Sequence, residues 1–376
     1  MGRAVIADDG GIGVQRIVAD ALRPVDDGVV LAVSGGRDSM ALLHAAAAAA
    51  RPAVRAVATF DHGTGAHATE AVERVRAAAE GLGVPVVSGT AARPGRTEAE
   101  WREARWRFLR EVADAAGACA VATAHTADDQ VETVATRLLR HAGARGIAAL
   151  AAPAPTVVRP LLALSRARVA AYAAAHGLRW TDDPSNADRR HQRVRLRADL
   201  LPAVERLRPG TAAHLRDVAA RAAAWRAAAD AWVARAVEPS REARVNVSLL
   251  AACGPDTLAV WWPAFAAGAG VRLDRRALAR LVAYTPEVVR RVREGTAQPA
   301  RIPVAGTSPG TNPRTGRGAV AHDAAVTLVR GPTAVARGQR AWQFVVGPTG
   351  RDAGEDPGEL ARTADGVAGP RASDYA

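Results

Sequence analysis

Between Gly28 and about Thr181, short apolar, β-branched runs alternate with longer stretches whose apolar residues recur at helical spacing. That alternation predicts a parallel sheet whose crossovers are helices. The runs place strands at Val29 to Val33, Val54 to Phe60, Val84 to Val87, Ala118 to Thr123 and Val157 to Arg159. Helices are expected near Asp38 to Ala50, His67 to Gly81, Thr97 to Ala116 and Ala127 to Arg140. Sheets of this kind gather ligands outside the carboxyl ends of their strands, where the strand order reverses. The segments Ser34 to Ser39, Asp61 to Gly63 and His125 all follow strands and so are expected to converge.

After Leu201-Pro202 the pattern changes. Leu215, Val218, Ala222, Trp225, Ala229, Trp232 and Val233 recur at helical spacing along an alanine-rich stretch, and Leu249, Leu250, Leu258, Trp261, Trp262 and Phe265 continue an apolar core. The tryptophans read as packing rather than as a stacking platform for bases. Beyond about Ile302 glycine, proline and threonine dominate, with one strand-like run at Trp342 to Val346. The expected organisation is an α/β parallel-sheet domain over 1–205, a smaller α-helical domain over 206–302, and a Gly/Pro-rich, largely disordered extension over 303–376.

Charge alters this picture more than size does. The 376 residues carry a net charge of +12, and a protein so basic usually meets a polyanion, with nucleic acid first among candidates. All 50 basic residues are arginine, so part of the excess reflects compositional bias. Two cysteines, Cys119 and Cys253, cannot build a disulfide framework or a Cys-x-x-Cys site, which suits a reducing cytoplasm. The first residues hold no sustained apolar stretch and the run from Met40 is broken by His44, so neither secretion nor membrane spanning is expected.

Ser34-Gly35-Gly36-Arg37-Asp38-Ser39 stands between an apolar strand and a helix. Glycines there let backbone N–H groups approach phosphate oxygens, hydroxyls add donors, and a helix N-terminus adds partial positive charge. The plainer alternative is a capped turn with Asp38 or Ser39 as N-cap. The spacing is neither Gly-x-x-x-x-Gly-Lys-Ser/Thr nor Gly-x-Gly-x-x-Gly, and a chain without lysine cannot supply a Walker-type lysine.

The hexapeptide resembles the PP-loop of N-type ATP pyrophosphatases, a fold also described as adenine nucleotide α-hydrolase-like. More of the N-terminal half resembles the tRNA(Ile)-lysidine synthetase family. The motifs are Asp61-His62-Gly63, Thr97 to Trp106, Ala124-His125-Thr126-Ala127-Asp128-Asp129-Gln130-Val131-Glu132-Thr133, Arg159-Pro160-Leu161-Leu162, and Asp182 to Asp188 followed by Arg193 and Arg195-Leu196-Arg197. The resemblance implies that ATP, with Mg²⁺, adenylates the carbon 2 oxygen of the wobble cytidine in a tRNA(Ile) with a CAU anticodon. Free lysine then attacks through its side-chain amine, forming lysidine and changing the codon read from AUG to AUA.

It further implies a nucleotide site at Ser34, Gly35, Gly36, Arg37, Asp38, Ser39, Asp61, His62 and His125. Catalytic roles fall to Asp38, Asp129, Glu132, Arg102 and Arg105, metal binding to Asp38 and Asp129, and tRNA contacts to Asn186, Asp188, Arg193, Arg195 and Arg197. Asp129 and Glu132, three apart on one helix face, suit Mg²⁺, the lysine ammonium or proton removal, and the sequence does not divide those roles. Two departures stand out: Val194 replaces a family asparagine, and His141 a family glycine. A thiolating PP-loop enzyme would need suitably placed cysteines, and a non-catalytic nucleotide- or RNA-binding module would not need the paired acids. Oligomeric state is left open, with a homodimer admitted.

Overall fold

The computed structural model describes residues 12–63, 65–91, 97–152, 154, 156–182, 188–236, 243–269, 271, 273–304, 324–332 and 340–348. The chain divides into two compact units, Met1–Ala227 and Ala228–Ala376.

Unit 1 opens with α1 (Ile12–Leu22), β1 (Val29–Ala32), α2 (Arg37–Ala49), β2 (Val54–Asp61), α3 (Ala66–Gly81), β3 (Val86–Thr90) and α4 (Glu98–Ala115). It continues through β4 (Ala120–Thr123), α5 (Ala127–Leu139), the single turn α6 (Ala144–Ile147), β5 (Val157–Val158) and α7 (Arg166–Ala175). After these come α8 (Gln192–Arg195), a π-helical turn (Leu196–Leu200), α9 (Leu201–Leu207) and α10 (Thr211–Ala236), which runs across the division between the units. All five strands pair in parallel, in the order β3-β2-β1-β4-β5. The order reverses between β1 and β4, so the crevice for ligands is expected above their carboxyl ends.

The period-2 alternation of β1 decides which helices cover which face. Val29, Leu31 and Val33 turn to one side with Val57 and Ala122, and there they meet Val18 and Leu22 of α1, Met40 and Leu43 of α2, and Val169 and Tyr172 of α7. Val30 faces the other way with Ala56, Ala58 and Val121, against Leu109, Val112 and Ala113 of α4. Each large side chain so buried contributes about 1.5–3 kcal/mol. The predicted strands and helices of this region are all present, with no end shifted by more than three residues. Helices α1 and α7 were not anticipated.

Unit 2 contains β6 (Ala243–Asn246), α11 (Pro255–Gly268), α12 (Arg275–Arg293), β7 (Ala300–Val304), β8 (Ala324–Pro332) and β9 (Arg340–Pro348). Its helices were expected, whereas its four-stranded antiparallel sheet, ordered β6-β9-β8-β7, was not. Strands β8 and β9 lie within the segment expected to be a largely disordered extension, and the boundary expected at 205/206 falls inside unit 1. Leu258, Trp262, Phe265, Leu281, Phe344 and Val346 form the core of this unit. Trp262 donates its ring N–H to Thr285 at 3.0 Å, and Trp232 stacks edge-on against Trp261 with centroids 3.5 Å apart. Trp261 and Trp262 pack as the sequence suggested, whereas Trp225 and Trp232 are exposed. No helix among the described residues is long and apolar enough to cross a membrane.

Candidate active site

At the end of β1 the backbone turns through Ser34, Gly35 and Gly36 into α2. Gly35 adopts φ +83°, and a Cβ there would lie 2.9 Å from the Cβ of Ala71 and 3.0 Å from its carbonyl oxygen, so only glycine fits. Gly36 differs from expectation. Its φ of −74° and ψ of 159° are open to any residue, and a Cβ would meet only the Ser34 hydroxyl at 3.7 Å. Ser39 does not cap the helix; its hydroxyl donates to the Gly36 carbonyl at 2.8 Å and accepts from the Ser34 N–H at 3.2 Å, which fixes the turn. With Gly36 as N-cap, α2 has no side-chain cap, so the N–H groups of its first turn point outward without a side-chain acceptor. The Thr181 N–H donates to the Gly35 carbonyl at 2.9 Å and ties a later segment to the loop.

At the end of β4, the adjacent strand, Thr126 caps α5 reciprocally with Asp129, whose Oδ2 accepts from the Thr126 N–H at 2.8 Å and hydroxyl at 2.9 Å. This capping box aims the other carboxylate oxygen of Asp129 beside Glu132. Two guanidiniums close on the pair. Arg166 donates to Asp129 Oδ1 at 3.0 Å and twice to Glu132 Oε1 at 3.1 Å, while Arg193 donates to Asp129 Oδ1 at 2.8 Å and Glu132 Oε2 at 2.7 Å. Arg166 also approaches Asp38 at 3.8 Å, linking the acids of α2 and α5. Glu132 is only 1% exposed, and the two guanidiniums supply the opposite charge that a carboxyl buried so deeply calls for.

The titration of these groups follows from their surroundings. Burial pushes the Asp38 carboxyl up, against the pull of Arg37 and Arg166. Burial also pushes Asp129 up, but the Thr126 N–H together with Arg166 and Arg193 outweighs it and holds that carboxyl below its ordinary value. His125 is pushed down to about 4 by burial and by Arg159, Arg193 and Arg102, although Asp129 pulls the other way. It is therefore a neutral imidazole at pH 7, with Nδ1 2.9 Å from the Thr123 hydroxyl.

The crevice thus assembles Ser34 to Ser39, Asp38, His125, Asp129, Glu132, Arg102 and Arg193. Arg193, expected to face RNA, turns onto the acids. Asp129, expected to bind metal, has both oxygens committed to Thr126 and the two arginines, and no cluster of three or more metal-ligating side chains exists among the described residues. Asp61 spends its carboxylate on the Gly63 N–H and the Thr69 hydroxyl, and His62 packs beside Phe60 and Trp101. Arg105 is half-buried on α4. Asp188 forms a local forked pair with Arg190 that holds its carboxyl at about 2, and Arg195 and Arg197 follow on α8 and the π-helical turn. Asn186 lies outside the described residues.

The sequence reading missed Arg166. The signal for it was Ser165, which caps α7 by accepting from the Arg168 N–H just before apolar positions at helical spacing. Cys119 was expected inside β4; it is exposed, one residue before that strand, with its thiol toward the Gly28 carbonyl at the amino ends of the strands.

Comparison with known proteins adds to this geometry. A family model described as a PP-loop domain matches residues 13–204. The chain is 41% identical over 236 residues to a tRNA(Ile)-lysidine synthase of Burkholderia mallei, covering 57% of this chain and 46% of that protein. It is 38% identical over 257 residues to one of Salinispora tropica, covering 64% and 77%, and 40% identical over 227 residues to one of Thermobifida fusca, covering 56% and 70%. The chain therefore spans about half the length of the first relative and about three quarters of the second.

Proposed function

The chain belongs to the tRNA(Ile)-lysidine synthase family, on a PP-loop domain, and from that premise we propose that it joins free lysine to carbon 2 of the wobble cytidine of a tRNA(Ile) with a CAU anticodon. The observation that carries the proposal is the adjacency, at the reversal of strand order, of an uncapped glycine loop and a buried Asp129–Glu132 pair neutralised by Arg166 and Arg193.

In this reading the first-turn N–H groups of α2 and the Ser34 hydroxyl grip the β- and γ-phosphates of ATP. The cytidine O2 attacks the α-phosphorus, the bond from that phosphorus to the bridging oxygen breaks, and pyrophosphate leaves. Mg²⁺, which takes one or two carboxylates along with phosphate oxygens and waters, would be held by Asp38, and it would supply charge neutralisation. Asp129 does not fit as a second ligand, because metal there would have to displace a guanidinium.

The lysine amine then attacks C2 and the C2–O bond to AMP breaks. Asp129 and Glu132 act by positioning Arg166 and Arg193, whose charges face the phosphate that leaves with AMP. A neutral His125 accepts a hydrogen bond from the incoming amine without repelling it. Thiolation is disfavoured by Cys119 lying at the opposite edge of the sheet.

The test offers labelled lysine, ATP and Mg²⁺ with tRNA(Ile) bearing CAU. Label in the RNA, with stoichiometric AMP and pyrophosphate, is expected. Its absence under conditions where the tRNA binds would end the proposal.

A further inference from the structure

One cation of unit 1 is half-buried and, among the described residues, unpaired. Arg159 follows β5 directly, at the same edge of the sheet as the crevice, and its Nε is buried with no hydrogen-bond partner. No acid among the described residues forms an ion pair with it. Its charged neighbours are Arg102 on α4 and Arg137 on α5, and their charges, after burial, pull its pKa down. It also acts on His125, which burial keeps neutral and so unable to offset it. Arg137 is fixed by donating to the Gly146 carbonyl. Arg102, exposed in the second turn of α4, has no ion pair among the described residues either.

A half-buried guanidinium that has no acid of its own among the described residues and lies beside two further arginines destabilises the fold, since a charge withdrawn from water needs a partner. The arrangement contrasts with the neighbouring Arg166 and Arg193, each matched to carboxylates. Arg159 cannot relieve the strain by deprotonation, because a guanidinium stays charged in proteins. An anion from outside would complete the group, and a planar fork of donors suits the oxygens of a phosphate ester.

We infer that Arg159, flanked by Arg102 and Arg137, is a phosphate-ester subsite beside His125. The inference deepens the proposed function by adding a positioning group that neither the loop nor the acidic helix supplies. Two sources share the chemistry: the α-phosphate of the adenine nucleotide and a phosphodiester of the RNA.

The test measures equilibrium binding to the full chain of AMP and, separately, of a CAU anticodon stem-loop over a range of salt, for wild type and Arg159→Met. Lysine is absent, so the outcome does not depend on transfer. Arg159→Met is expected to weaken one ligand about ten-fold or more, as loss of a charge-assisted contact does, while Tm stays level or rises because an unpaired, half-buried charge is gone. Loss confined to AMP assigns the nucleotide. Loss confined to RNA, with the salt slope reduced by about one unit, assigns the phosphodiester. Arg102→Gln, on an exposed position, is expected to weaken the same ligand to a smaller degree, and it carries the test if Arg159→Met does not fold.

Affinities within two-fold of wild type for both ligands would overturn the inference. So would binding loss that merely tracks a fall in Tm, or a wild-type chain that binds neither ligand. Unchanged affinities in a protein that still makes lysidine would remove this subsite and leave the proposed function standing. Lost affinity in a protein that never transfers lysine would do the reverse.

Discussion

Replacing Glu132 with glutamine keeps shape and removes one charge from a side chain that water hardly reaches. Its Oε1 accepts two bonds from Arg166 and its Oε2 one from Arg193. Breaking a buried pair from one side costs about 3–5 kcal/mol, because the other charge remains. Arg193 is 53% exposed and hydrates readily, so its share is about 1 kcal/mol or less. Arg166, at 23% exposure, carries the remainder, roughly 3 kcal/mol. Arg166→Met should cost a similar amount by stranding Glu132. With both changed, little remains stranded, and the double variant should be about as stable as either single one. The coupling is therefore expected to be about 2–3 kcal/mol. Hydrogen exchange at amides of α5 and α7 reads the local opening free energy and avoids treating two units as one transition. If the single effects add to within about 0.5 kcal/mol, the four-residue network is not the neutralised unit described here.

Asp38→Asn is expected to abolish pyrophosphate release with little change in Tm, since the half-buried carboxyl has, among the described residues, only Arg37 in hydrogen-bond range; near-normal release would remove it from the site. Gly35→Ala combines left-handed backbone with a contact at 2.9 Å to the Ala71 Cβ and should cost about 1–3 kcal/mol and most ATP affinity, read by thermal denaturation and nucleotide titration. For His125 the folded pKa lies below the unfolded one, so the unfolded chain binds the extra proton between about 4 and the ordinary value of 6.5. Stability should rise with pH across that window and fall on acidification through it. His125→Gln should flatten this slope, and an NMR midpoint near 6.5 would contradict the burial argument.

Local signals made unit 1 legible. Strand β1, the glycine turn and α2 are contiguous, and the Thr126–Asp129 capping box spans four residues, so both could be read without knowing what packs against them. Arg166 and Arg193 could not be assigned in that way, because Glu132, a partner of both, lies 34 and 61 residues away from them in the chain. The departures from the family pattern resolve locally. His141 takes φ +53° and so keeps the left-handed turn a glycine would make, and Val194 is buried. The sheet of unit 2 escaped notice because β6 pairs with β9, Ala243 opposite Val346, and no local pattern announces so distant a partner.

Position 36 has a consequence for how this protein would respond to selection. Neither its backbone angles nor its surroundings require glycine, and serine there would cap α2 and stabilise the helix by a few tenths of a kcal/mol relative to glycine. The same cap would occupy an N–H group that the phosphates need. A library screened for heat tolerance alone should therefore enrich Gly36→Ser while losing turnover, which places this residue off its stability optimum for the sake of an open helix end.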